Sequence, residues 1–218
     1  MIIGLAGFIS CGKGTVADYL VEEYGFHKIA YADRLKDTVA TLFAWPRSML
    51  EGNTKESREF RETPDKFWSD ELEIEFTPRL ALQLIGTECI RDTIHQDFWV
   101  KATKLEILEN PDRDYVIPDI RFQNEFNLVQ ELGGELWRIK RWRDPDWVKY
   151  VEVISNSSDP DEIAFAESQL EHIHISERAW IPLPFDRVIE NHTVIEDLRL
   201  AVDSAIKDLV KSDLSANT

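Results

Sequence analysis

The spacing of hydrophobic positions changes period several times along the chain, and each change marks a new element. Ile2–Ala6 is short and apolar and runs into a glycine-rich turn, which reads as a buried strand. Val16, Leu20 and Tyr24 share one face of a helix predicted from Lys13 to Tyr24. Phe26–Tyr31 reads as a second strand. Asp33 then stands where an N-cap belongs, opening a helix through Leu42 that Pro46 stops. Glu51–Thr77 has nine acidic and four basic residues and no clear period, which predicts a surface excursion with short helical pieces. Leu80–Ile94 and Phe98–Leu108 follow as helices, the first open to a break at Gly86, the second ended by Asn110–Pro111. Tyr115–Ile117 is a short strand. Phe122, Phe126 and Val129 have helical spacing with Gly133 as the C′ residue, and Glu135–Ile139 is a fourth strand. Asp144–Ser176 looks irregular, with one short helix at Glu162–Leu170. Phe185–Ile189 is a fifth strand. Thr193–Glu196 carries a capping-box pattern opening a last helix with Val194, Leu198, Ala201, Ala205 and Leu209 on one side, frayed from Ser212 onward.

Strands alternating with helices predict an α/β fold of three layers, a mainly parallel five-stranded sheet with helices on both faces. The expected core comprises 1–45, 78–141 and 181–211, interrupted by excursions at about 46–77 and 142–180. With 218 residues the chain supports one substantial core, taken as a single domain over 1–218. A formal net charge of −16 repels nucleic acid and anionic membrane, so neither is expected as a partner. Cys11 and Cys89 make no disulfide framework, and no apolar run has membrane length, so a cytoplasmic location is expected. A homodimer is compatible with everything above.

The chemistry begins at Gly7-Phe8-Ile9-Ser10-Cys11-Gly12-Lys13-Gly14-Thr15: glycine, four residues, then Gly-Lys, between a strand and a helix. Glycines let successive backbone N–H groups point at phosphate oxygens, and the helix N-terminus adds partial positive charge. Lys13 is placed to reach the terminal phosphates of a nucleoside triphosphate. Gly14 stands where such loops usually have Ser or Thr, and Thr15 comes one later, so Thr15 would hold magnesium either directly or through water.

Five residues are acceptor-side candidates. Asp33 and Lys36 follow the second strand, and Asp33 is either a ligand or a helix cap. Arg79 and Gln83, four apart, share a helix face with Arg91 further on, giving either a phosphate and base contact or a polar stripe. Pro118-Asp119-Ile120-Arg121 leaves the third strand. Asp119 there would orient magnesium and Arg121 would take phosphate. Arg138, Lys140, Arg141 and Arg143 form the concentrated basic cluster, and Arg141 lies where a lid would carry it to the phosphates. The bland alternative is charge balance against 144–176. His172 and His174 lack partners for a zinc site.

Together Gly7–Asp18, Tyr31–Asp37, Leu84-Ile85-Gly86-Thr87-Glu88 with Asp97–Lys101, Asp119–Arg121 with Glu125, His174–Glu177 and Val188–Asn191 resemble the deoxynucleoside monophosphate kinases of bacteriophages. The resemblance implies an adenylate-kinase-like P-loop kinase with an acceptor-binding region and a lid. It also implies ATP, Mg2+ and a deoxynucleoside monophosphate as reactants. By position it assigns Lys13 and Thr15 to ATP, and Lys36, Arg79 and Arg121 to the acceptor; the motif itself adds Gly7, Ser10, Cys11, Gly12 and Gly14 of the loop as ATP-binding residues. Asn191 precedes the last helix, where related kinases contact adenine. The competing expectations are a kinase of the same fold with a bulkier acceptor, such as dephospho-coenzyme A, or a switch that hydrolyses ATP without any acceptor.

Overall fold

The structure is a computed structural model and describes residues 1–192 and 194–216. In chain order the elements are β1 (Ile2–Ala6), α1 (Lys13–Tyr24), β2 (His27–Lys28), α2 (Asp33–Phe43), a 3₁₀ turn (Arg47–Leu50), α3 (Lys55–Glu62) and α4 (Lys66–Leu72). Next come α5 (Pro78–Gln83), a π-helical stretch (Leu84–Arg91), α6 (Phe98–Glu109), β3 (Tyr115–Ile117), α7 (Gln123–Glu131) and β4 (Glu135–Lys140). The chain ends with α8 (Val148–Asn156), α9 (Pro160–Gln169), α10 (Ile175–Arg178), β5 (Arg187–Glu190) and α11 (Ile195–Ala216). Contacts divide it into two compact units, Met1–Ile29 with Asp112–Thr218, and Ala30–Pro111.

The first unit holds the whole sheet: five parallel strands in the order β2-β3-β1-β4-β5. Alternation along β1 sorts its neighbours. Ile3 and Leu5 join Val16 and Leu20 of α1 and Leu198 and Val202 of α11 in one buried cluster. Gly4 faces the other way, where a β-carbon would stand 2.9 Å from Leu136 of β4 and 3.1 Å from Val129 of α7. Phe126 of α7 meets Phe185 edge-on on that side. Helices therefore cover both faces of the sheet, and the P-loop turn emerges at the carboxyl end of its central strand. Gly133, at φ 71, adopts the left-handed conformation expected of the residue after α7.

The second unit is helical. Val39, Trp45, Leu50, Phe76 and Ala81 make its core, with Phe43, Phe60 and Trp68 packed against them. Its indoles find acceptors, as buried Trp N–H groups usually do. Trp45 donates to Asp65 (2.8 Å), Trp68 to Phe43 O (3.3 Å) and Trp99 to Gly86 O (2.9 Å). The Gly86 carbonyl lies within a widened π-helical stretch, where the sequence predicts helix to Ile94 with a possible break at Gly86.

Four local expectations are corrected. The second strand shrinks to His27–Lys28, because β3 beside it has only three residues to pair with. Asp33 is not the N-cap of α2; that position is Ala32, and the Asp33 carboxylate instead accepts from Ala30 N–H at 2.7 Å. The segment 148–156, expected to be irregular, is α8. Its β-branched residues lower helix propensity, but Val148 and Val151, three apart, are both buried, and burial decides. The last helix continues through Ala216 rather than fraying at Ser212. Thr193, which would head its capping box, lies outside the described residues. Among the described residues no helix is long and apolar enough to cross a membrane.

One polar clamp ties α1 to α11. The hydroxyls of Tyr19 and Tyr24 both donate to Asp203 Oδ1, at 2.8 and 2.7 Å. The Tyr24 bond, opposed by burial and helped by Tyr19, holds the Asp203 carboxyl below its ordinary value. A depressed carboxylate stabilises the fold above its unfolded value, about 3.9, and that contribution fades as pH falls through the folded value. Asp203→Ala should lower stability by about 1 kcal/mol at pH 7 in urea unfolding. The gap from wild type should shrink at about pH 3; an equal gap at both would contradict the clamp.

Candidate active site

The turn after β1 is shaped by three residues in the left-handed half of backbone space: Gly7 (φ 146), Ser10 (φ 60) and Gly12 (φ 111). Space forbids a side chain at two of them. A β-carbon at Gly7 would overlap Ile139 O of β4 and lie 2.7 Å from Cys11 Sγ. At Gly12 it would meet Asn191 Nδ2 at 2.5 Å. Asn191 itself is buried, and its Nδ2 donates to Cys11 O at 2.8 Å, so the end of β5 holds the crown of the loop. Cys11 is buried beneath the turn, consistent with a packing role.

The loop delivers the chain into α1, whose first turn has no acidic residue to neutralise its positive end. Lys13 arcs back over the turn, with Nζ donating to Gly7 O (2.7 Å) and Phe8 O (3.1 Å). Gly14 has nothing within 4 Å of where a β-carbon would be, and Thr15 is exposed beside it. The mouth of the loop is thus open, with an ammonium, a helix N-terminus and a hydroxyl around it.

Two clefts meet the loop. One, of about 340 Å³, is bordered by Lys13, Gly14, Asp119, Arg121, Ser176 and Glu177. Arg121 Nε donates to Asp119 Oδ2 at 2.8 Å, and its Nη1 lies 3.4 Å from Ser176 Oγ. Both members of the pair are 45% exposed, so neither is spent on the core. The turn that carries them is held from below. Glu125, only 7% exposed, accepts the backbone N–H groups of Arg121 (2.7 Å) and Phe122 (3.1 Å). The second cleft, of about 420 Å³, lies between Ser10, Gly12–Thr15, Arg141, Asn191 and Ile195. Arg141 stacks its guanidinium on Trp142, 4.8 Å from the ring centre, and its carbonyl accepts from His192 Nδ1 at 2.9 Å.

Two other arginines of the basic cluster have partners elsewhere. Arg138 donates to Asp144 at 2.6 Å and lies over Trp180, while Arg143 pairs loosely with Asp146 in full solvent. His174 caps α10 through Ser176 N–H and meets the Ser176 hydroxyl at 2.8 Å. Among the described residues no three His, Cys, Asp or Glu groups gather as metal ligands.

The structure therefore brings Gly7, Ser10, Gly12, Lys13, Gly14, Thr15, Asp119, Arg121, Arg141 and Asn191 together around one loop in the first unit. Asp33, Lys36, Arg79, Gln83 and Arg91 all belong to the second unit. There Lys36 bonds Glu51 at 2.6 Å and lies 3.6 Å from Asp33, while Arg47 bridges Asp33, Asp37 and Glu51. Burial works against ionising Glu51, but Lys36 and then Arg47 outweigh it and hold the carboxyl below its ordinary value. Arg79 pairs with Glu62, Gln83 is exposed on the same helix, and Arg91 closes the π-helical stretch. Sequence reading missed the support given by Asn191 to the loop and the aromatic seat of Phe8, whose ring meets Trp147 at 5.7 Å and Trp180 at 5.0 Å. Neither has a local signal, since the partners lie more than a hundred residues away.

Known proteins resemble this chain in the same sense. The profile of the deoxynucleotide monophosphate kinase family matches residues 47–146. A putative deoxynucleotide monophosphate kinase of Acanthamoeba polyphaga mimivirus is 35% identical over 152 residues, 65% of this chain and 74% of the relative. The deoxynucleoside-5'-monophosphate kinase of Escherichia phage T5 is 38% identical over 57 residues, 26% of this chain and 23% of the phage enzyme. Among solved structures, the dephospho-CoA kinase of Campylobacter jejuni overlaps 95% of this chain and 96% of its own, at 17% identity and a TM-score of 0.39. An overlap that loose assigns no acceptor. With a relative 35% identical and covered over 74% of its length, and the family's profile matching 47–146, this chain belongs to the deoxynucleotide monophosphate kinase family.

Proposed function

We propose that the chain transfers the γ-phosphoryl group of ATP to a deoxynucleoside monophosphate, giving the diphosphate and ADP. The observation that carries the reading is the open loop: Lys13, the uncapped N-terminus of α1 and the Asp119–Arg121 pair converge on one cleft. In the transfer, an acceptor phosphate oxygen forms a bond to the γ-phosphorus as the bond from that phosphorus to the β–γ bridging oxygen breaks. Negative charge moves toward the β-phosphate. Lys13 and the loop N–H groups are placed to hold that charge in a pre-formed arrangement. Arg121 offers a planar fork for two phosphoryl oxygens. Arg141 and Asn191, on the other side of the loop, would border the nucleoside part of ATP.

Magnesium fits the donor set. Mg2+ keeps most of its waters and takes one or two hard oxygen ligands from the protein, and Thr15 and Asp119 supply a hydroxyl and a carboxylate at the loop. When bound, the ion neutralises phosphate charge. The second unit, with its ion-pair network at Lys36 and with Arg79 on α5, is our choice for the acceptor-binding region, and 142–180 for the lid.

The direct test is ADP release measured with each deoxy- and ribonucleoside monophosphate and with dephospho-coenzyme A. Turnover should require a deoxynucleoside monophosphate. Acceptor-independent ATP hydrolysis alone, or turnover with dephospho-coenzyme A alone, would overturn the reading. Lys13→Ala should lower kcat by about 10²-fold or more while the protein stays folded.

A second experiment examines the 2.8 Å Asp119–Arg121 pair. Asp119→Asn should raise the magnesium concentration needed for half-maximal rate. Arg121→Lys should lose more than its retained charge predicts, because an ammonium cannot grip two oxygens. An unmoved magnesium curve together with wild-type kinetics for Arg121→Lys would reduce both residues to a surface ion pair.

A further inference from the structure

The segment His174–Glu177 stands at the phosphate cleft, although Ser176 lies 55 residues from Arg121 along the chain. Ser176 and Glu177 border the same cavity as Lys13, Asp119 and Arg121. They belong to α10, a single turn whose next residues seat it against the phosphate loop. The Trp180 indole is 2% exposed and meets the ring of Phe8 at 5.0 Å and that of Phe185 at 6.1 Å. The Arg138 guanidinium covers it at 5.4 Å. Arg178 Nε donates back to Ile173 O at 3.3 Å. Ser176 is therefore carried on a turn anchored to the loop it faces.

Hydrogen-bond accounting fixes which group donates to which. A guanidinium only donates, so Arg121 Nη1 gives its proton to Ser176 Oγ at 3.4 Å. The Ser176 backbone N–H donates to His174 Nδ1 at 3.3 Å, so that nitrogen carries a lone pair. The Ser176 hydroxyl lies 2.8 Å from the same nitrogen and therefore donates to it as well. This turns the oxygen lone pairs toward Arg121. A bond of 3.4 Å is long, and a hydroxyl free to rotate would point its proton at the guanidinium as readily as its lone pair. His174 removes that choice. Arg121 is then gripped at two points, by Asp119 on Nε at 2.8 Å and by Ser176 on Nη1, which leaves Nη2 for a phosphoryl oxygen.

We propose that Ser176, oriented by His174, is a positioning residue for Arg121 and holds its guanidinium plane toward the transferring phosphoryl group. The inference rests on the role given to Arg121 above and deepens it. With Asp119 as the single anchor, the guanidinium swings about Nε; a second anchor on Nη1 sets its plane. A donor fixed before the phosphate arrives needs no reorganisation as charge develops. The position calls for a hydroxyl, because the linking group must donate to an imidazole lone pair and accept from a guanidinium at once.

The test uses the full chain and separates this proposal from the assignment of function. Steady-state kinetics and thermal midpoints are measured for Ser176→Ala and Ser176→Thr, each alone and with Arg121→Lys. Ser176→Ala should lower kcat/KM for the acceptor by about five- to tenfold and leave the ATP KM little changed. Ser176→Thr, which keeps the hydroxyl, should restore most of the rate. Adding His174→Ala to Ser176→Ala should cost little more, since the imidazole acts through the hydroxyl, and Ser176→Ala should cost little in the Arg121→Lys background. Independently of turnover, NMR of the nucleotide-free protein should show the Arg121 guanidinium rotating faster about its Nε–Cζ bond in Ser176→Ala than in wild type. A lowered midpoint in Ser176→Ala moves both comparisons to Ser176→Thr against Ser176→Val, which share a shape and differ in the hydroxyl. Wild-type kinetics without the hydroxyl, an equal cost in the Arg121→Lys background, or unchanged guanidinium rotation would each overturn the positioning role. If wild type turns over no acceptor but loss of the hydroxyl frees the Arg121 guanidinium, the positioning stands and the kinase reading falls.

Discussion

The first unit is organised around the close approach of three strand ends. β1 must turn into α1 within six residues, directly beneath the carbonyl of Ile139 and beside the amide of Asn191. That confinement dictates glycine at 7 and 12, puts Ser10 at φ 60, and leaves the N-terminus of α1 without a side-chain cap. The Asn191–Cys11 bond, 2.8 Å and buried, ties the arrangement to the sheet, so the loop is held in shape before any phosphate arrives. Pre-formed donors are what make such a site useful, since they need no reorganisation as charge develops.

Electrostatics follow the same logic in each unit separately. The chain carries 41 acidic and 25 basic residues, so a phosphate must be drawn by local cations against the general field. In the first unit Lys13, Arg121 and Arg141 border the loop clefts, while Arg138 and Arg143 are tied to Asp144 and Asp146. In the second unit Lys36 and Arg47 are neutralised by Asp33, Asp37 and Glu51, and Arg79 by Glu62. Which cations are paired and which are left open is the information that a residue count hides.

That distinction also marks how far the sequence could be read. β1, α1, β3, α6 and β4 were legible because each has a clean period or a local stop signal, such as Val16, Leu20 and Tyr24 on one face of α1 or Asn110–Pro111 after α6. The phosphate loop was legible because its chemistry is contiguous. The helix at 148–156 was not, because its β-branched residues argue against a helix that only burial of Val148 and Val151 makes favourable. Asp33 was misread as a cap because a cap and a turn ligand look alike in sequence; the choice depends on the Ala30 N–H. Asn191 and Glu125 matter through partners that exist only once the chain has folded.

The central claim is that backbone shape at the turn after β1, held by Asn191, creates the triphosphate site. ATP calorimetry on Gly12→Ala, with its thermal midpoint recorded, addresses it most directly. A methyl group there meets both a φ of 111 and the Asn191 amide at 2.5 Å. The account predicts a folded protein whose ATP affinity drops by about tenfold or more, since strain displaces the loop donors. Wild-type ATP affinity in a folded Gly12→Ala protein would contradict it.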